Sequence, residues 1–231
     1  MNRGGDGPTA PGAVAVRVVL ALSLAPAAGI AQITLSGTAA ASLVVHQVNI
    51  GYGVEESSGL LLAGEGGVTF RSRVGLAIRA AGGSLSTSTA GAENRDIGEV
   101  GVEASVIPAP WLALRASATS RTYSTAIARQ RWTIVGVGAE ARLDFATSPV
   151  RGVLRGGLLP VVTVKGLPEP DVALTAGAGI EYCTGSVIGG LFYGLERYDF
   201  PDVGAGRRLE QVNTLTFRFT VHRGGRRVTP Q

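Results

Sequence analysis

From residue 33 onward the chain repeats one pattern, an apolar side chain at every second position with a polar or very small residue between. Leu215, Phe217, Phe219 and Val221 interleave with Thr214, Thr216, Arg218 and Thr220. Val135, Val137, Ala139, Ala141, Leu143 and Phe145 interleave with Gly136, Gly138, Glu140, Arg142 and Asp144, and Val172–Tyr182 and Val100–Val106 read the same way. Successive side chains of a strand point to opposite faces, so a period of two gives a sheet with one apolar and one polar face. A 3.6-residue period is almost absent. The chain is therefore all-β.

The alternation is interrupted by two kinds of break that take turns. Short ones stand at Glu65-Gly-Gly67, Pro108-Ala-Pro110, Ala146-Thr-Ser-Pro149 and Cys183-Thr-Gly185, which are turn-forming residues. Longer ones stand at 49–53, 82–96, 124–129, 165–170 and 201–208. This rhythm predicts an up-and-down antiparallel meander of ten strands, at 33–48, 54–65, 68–80, 97–107, 111–123, 130–145, 150–164, 171–182, 186–199 and 209–222. Eight is the alternative if the weakly patterned Glu55-Glu-Ser-Ser58 and a neighbouring segment are loop. An even number returns both ends of the sheet to the short-turn side.

Which face meets water separates two kinds of barrel, and the charges choose. The polar parity carries Arg71, Arg73, Arg79, Arg115, Arg121, Arg142, Arg151, Arg155 and Arg218 with Glu65, Glu99, Glu103, Glu140, Asp144, Glu181, Glu196 and Glu210. The opposite parity is nearly free of charge although 16% of the chain is charged. Near-balance of sign on one face fits a narrow lumen, where an unpaired charge costs several kcal/mol and Arg–Glu pairs offset that cost. Gly75, Gly101, Gly136, Gly138, Gly177, Gly179, Gly190 and Gly194 share that parity and leave room for long side chains. The reading is a transmembrane barrel, apolar outside, with Phe70, Phe145, Tyr182, Phe217 and Phe219 as an aromatic girdle at one interface.

Residues 1–31 read as a secretory signal: Arg3 and Arg17 precede the short apolar run Val18–Ala25, and Gly29-Ile-Ala31 offers small residues for cleavage. The run is far shorter than the ~20 residues of a membrane-crossing helix. The expected division is signal 1–31, barrel 32–222 and a short basic tail 223–231. Cys183 is the single cysteine, which excludes an intramolecular disulfide framework or a cysteine zinc cluster. Basic residues never run beyond two in succession, so the footprint of a nucleic-acid binder is missing. No cofactor or metal is expected.

The signal ending at Gly29-Ile-Ala31, the turn-to-strand run Pro110-Trp-Leu-Ala-Leu-Arg-Ala116 and the closing strand Leu215-Thr-Phe-Arg-Phe-Thr-Val221 together resemble the small bacterial outer-membrane β-barrel proteins of the OmpA/OmpX-like type. The resemblance covers nearly all of 33–222. It implies export, insertion by the barrel-assembly machinery, contact with outer-membrane lipids and residence in the outer membrane as a monomer. Such barrels commonly end on an aromatic residue, whereas here His222–Gln231 follow the last strand. The expected role is structural, adhesive or that of a narrow channel, with a lumen largely occluded by ion pairs and no enzymatic activity. The alternative is a lipid- or peptide-modifying enzyme built on His46 at the external rim, with Ser42 nearby and Asp96, Asp171, Asp199 or Asp202 as partner.

Overall fold

The computed structural model describes residues 33–51, 53–88, 93–202 and 206–223 of the 231-residue chain. The expected signal segment and all but Arg223 of the expected basic tail lie outside the described residues. Ten strands form: β1 Ile33–Asn49, β2 Val54–Phe70, β3 Val74–Thr87, β4 Arg95–Ala109, β5 Leu112–Ser124, β6 Arg129–Asp144, β7 Val150–Val164, β8 Val172–Thr184, β9 Val187–Phe200 and β10 Arg208–Arg223. Each pairs antiparallel with its sequence neighbours, and β1 pairs with β10 to close the barrel. Closure removes the unpaired edges that an open sheet would present.

Two expected breaks move. Glu65, Gly66 and Gly67 remain in β2, opposite Arg79, Ile78 and Ala77, and the turn falls at Arg71-Ser72-Arg73. There the Arg73 amide donates to the Phe70 carbonyl at 3.0 Å, with φ of 49° at Arg71 and 54° at Ser72. The glycines permit a turn, but continuing the ladder pairs Val68 and Phe70 with Leu76 and Val74 and lengthens the outer apolar row. Likewise Gly82–Leu85 pair with both β2 and β4, which shortens the expected 82–96 loop to 88–94.

The register fixes the strand tilt. Leu35 pairs with Val68, and the row continues through Leu76, Ala104, Ala116, Val137, Leu158, Leu174, Arg197 and Gln211 to Gln47. One circuit thus returns to β1 twelve residues beyond its start. In a ten-strand barrel such a stagger tilts the strands by about 40°.

That row also records a change of polarity. Its first members are apolar and its last are Arg197, Gln211 and Gln47. Most strands change in the same way, β8 excepted, which stays apolar outside up to Val172. On β6 the outward side chains run from Leu143 up to Val135 and then become Thr133, Arg131 and Arg129. On β10 they run from Val221 to Leu215 and then become Asn213 and Gln211. An apolar run of this length matches the about 9–11 residues a tilted strand needs to cross a bilayer. Beyond it the strands continue toward the longer loops, polar outside, and there the interior turns apolar.

The wall is irregular at two places. The β4–β5 register shifts between Val106 and Ala109, beside a short turn. Farther up, β7 and β8 are paired as far as Leu158–Leu174, but beyond that residues 161–164 of β7 pair with β6 alone and Leu159 and Pro160 with neither strand. A bulge opposite Gly136 bends β7 at Leu159-Pro160, where proline has no amide to give to the ladder. The two strands part there, and Leu167 from the following loop packs against the apolar interior.

Candidate functional site: a two-tier barrel interior

The lower tier, toward the short turns, is ionic. Glu140 projects inward from β6 and is 2% exposed. Three guanidinium groups converge on it: Arg115 and Arg142 from Nη2, both at 2.8 Å, and Arg155 from Nε at 2.7 Å. Arg115 also reaches Glu103 at 2.7 Å, Arg218 reaches Glu181 at 2.6 Å and Arg151 reaches Asp144 at 2.6 Å. Gly179 and Gly190 leave a seat that a Cβ on either would fill, and the ring of Phe192 occupies it with the Arg218 guanidinium 4.3 Å above. Here the missing side chains make room for an aromatic ring, where the sequence had been read as making room for Arg and Glu.

Higher up, Arg121 bridges two strands, donating from Nε to Glu99 and from Nη1 to Glu196 at 2.7 Å. Arg79 is the least committed cation: half its side chain is exposed, and Glu99 is 3.9 Å away. Arg71 and Arg73, expected in this network, stand instead in the exposed β2–β3 turn, because the turn lies beyond Phe70.

The upper tier is an aromatic plug. Trp132 meets Tyr198 edge to face at 5.1 Å between ring centroids, and Phe200 and Tyr123 flank it at 6.2 Å each. Leu85, Ile97, Val162, Val164 and Val212 complete a cluster that fills the barrel from wall to wall. These residues escaped the sequence reading because they share the parity of the charges: Trp132 faces as Glu140 does, and Tyr198 as Glu196 does. The available signal was large apolar residues on the polar parity, concentrated at the ends of strands next to the longer loops, with Phe192 and Val153 as exceptions near the short turns.

His46 belongs to this plug. It is 2% exposed, stacks on Tyr123 at 5.0 Å, and its Nε2 lies 3.0 Å from Glu210 Oε2. Glu210 also accepts from Arg208 at 2.7 Å. The partner is therefore Glu210 and none of the four aspartates proposed from sequence. Asp199 takes both Nε and Nη2 of Arg207, and this hydrogen bonding raises the loop guanidinium above its ordinary pKa. Asp96 accepts from Ser84, and the Ser42 hydroxyl is hydrogen-bonded to Thr216 at 2.7 Å. The Ser42 hydroxyl is thus engaged elsewhere, while Ser57 stands directly opposite His46 on β2, 2% exposed within the same plug.

Between the tiers lies a cavity of about 390 Å³, with Arg79, Arg115, Arg155 and Arg218 toward its base and Val44, Leu61, Ile97, Ile134 and Val212 toward its ceiling.

Outside, the band below the polar extension exposes Ile78, Val102, Leu114, Val137, Leu158 and Phe217. A contiguous apolar surface around a closed barrel with a charged interior is a lipid-facing surface. The architecture is that of a transmembrane β-barrel. Phe70, Phe145 and Tyr182 lie at or beside short turns and project outward, as does Trp111, which the sequence reading omitted. Phe217 and Phe219 also project outward but pair with Ala41 and Ala39, well inside the strands, so they lie within the apolar band and off its edge.

No family model matches the sequence, and no curated protein matches it. Solved structures do resemble the barrel. The outer membrane protease OmpT from Escherichia coli is 9% identical, with a TM-score of 0.44 over 84% of this chain and 97% of that one. The β domain of the Bordetella autotransporter BrkA is 11% identical, with a TM-score of 0.47 over 79% and 98%. Neisserial surface protein A is 10% identical, with a TM-score of 0.36 over 82% and 96%.

Proposed function

We propose that the protein is a monomeric, non-enzymatic barrel of the bacterial outer membrane, closed to passive solute flow, which uses its long-loop rim in a structural or adhesive role. The aromatic plug carries this reading. Trp132, Tyr198 and Phe200 are at most 1% exposed and lie across the barrel above an ion-paired lumen, a packed obstruction on the axis that supports a closed barrel. Burial of His46 within the same plug speaks against chemistry at the rim, since substrate would have to displace the stack on Tyr123. The lipid-facing band supplies the contact with membrane lipids, and the barrel-assembly machinery is the route of insertion that such a fold requires.

Planar-bilayer recording tests the closed state. The native protein should give no discrete current steps, and Trp132→Ala combined with Tyr198→Ala should give small steps. Steps from the native protein at modest voltage would sink the reading. Fractionation tests location: the folded band should appear in outer membranes and shift on heating, whereas a soluble periplasmic product would contradict the proposal.

A further inference from the structure

The cavity beneath the plug is amphipathic. Its ceiling is aliphatic, from Leu61, Ile97, Ile134, Leu159 and Val212. Its most available charge is Arg79, half exposed to the lumen with its nearest carboxylate oxygen 3.9 Å away, where the other lumen arginines hold acidic partners at 2.5–2.8 Å. An enclosed cation without a close partner is unfavourable unless something anionic reaches it. At about 390 Å³ the space falls at the lower end of small-molecule pockets, which run about 300–1,000 Å³.

The wall beside this cavity carries a break in the ladder between strands. Above Leu158–Leu174 no ladder pair joins β7 to β8, and Leu159, at the bulge, both lines the cavity and touches the plug. On the outside, Leu158 and Val161 are exposed beside this seam, with Thr163 just above, so it opens where the lipid-facing band gives way to the polar extension. A molecule residing at that interface has apolar and polar parts, as the cavity does.

We propose that the cavity binds a small anionic amphiphile, a medium-chain carboxylate in chemical class, which enters from the bilayer interface through the β7–β8 seam, sets its carboxylate on Arg79 and lays its chain under the plug. The protein is thereby a lipid-side binding protein as well as a closed barrel. Trp132 lies directly above the ceiling and serves as the reporter.

The test uses the protein extracted from membranes and placed in nanodiscs, with Trp111→Phe so that Trp132 is the only tryptophan. Titration with 8-bromooctanoate should quench Trp132 saturably, because the bromine at the chain end reaches the ceiling. The corresponding bromo-alcohol should need at least five times the concentration, and Arg79→Gln should weaken the carboxylate by a similar factor. Arg79 has no close ion pair to lose, so this variant should keep the heat-modifiable folded band. Leu159→Ala should speed the onset of quenching severalfold and Leu159→Phe should slow it. Quenching that rises linearly like simple partition, equal response to acid and alcohol, or indifference to Arg79→Gln would overturn the binding site. Onset unchanged by both Leu159 variants would overturn the seam as the route.

Discussion

At the scale of single residues, the lumen is organised by one carboxylate. Glu140 is buried and answers three arginines, so its loss leaves three guanidinium groups facing one another. Breaking a buried pair from one side costs about 3–5 kcal/mol, because the remaining charge is left without compensation. Glu140→Gln should therefore lower the urea midpoint of the barrel strongly, while Arg142→Gln, which leaves Glu140 two partners, should lower it much less. That Glu140 faced the lumen was legible from its parity beside Gly136 and Gly138. Its triple coordination was not, because Arg115 and Arg155 come from β5 and β7, and only the register brings them to the same height. His46 shows the same limit: its inward direction could be read from Thr34, Ser36, Thr38 and Ser42, whereas its partner depended on how β10 pairs with β1.

At the scale of elements, strands were easier to read than their ends. Eight of the segments needed only small changes, but β3 moves from 68–80 to Val74–Thr87 and β2 runs on through two consecutive glycines and closes on two non-glycine residues with positive φ. Composition favours a turn at Gly66-Gly67, and ladder pairing on both sides of β2 outweighs it. The turn at Arg71-Ser72 has the two left-handed central residues of the hairpin type that prefers Asn-Gly. Left-handed backbone costs a residue with a side chain about 1 kcal/mol. Ser72→Gly should raise stability by about 0.5–1 kcal/mol, read as a later midpoint in urea with unchanged slope. A loss of stability would mean that the hydroxyl contributes more than the backbone strain costs.

For the whole molecule, the barrel combines two solutions that are usually alternatives. Over the band that faces lipid it is apolar outside and charged inside; over the extension toward the long loops it is polar outside and aromatic inside. Alternation along the sequence specifies the fold and the strand number, but parity alone assigns one polarity to the whole length of a face, so the aromatic plug is not legible from it. The boundary predicts where charge is tolerated. Val137 is half exposed between Ala116 and Leu158, in the lipid-facing band, and Val137→Arg should cost about 2–4 kcal/mol in folding from lipid vesicles. Thr133→Arg, on the same face two turns of the pleat higher, should cost less than about 1 kcal/mol. Equal costs would remove the boundary from its assigned place.

The change of polarity along each strand also bears on how the barrel finds its register. In a uniformly patterned barrel a slip by one residue is punished, since every side chain changes face, but a slip by two restores the facing and meets little resistance. Here a slip by two on β6 would bring Thr133 down toward lipid level and carry Ile134 toward the Arg and Glu layer. The tier boundary acts as a graduation mark on the strands that carry it, and it detects even-numbered errors that alternation alone lets pass.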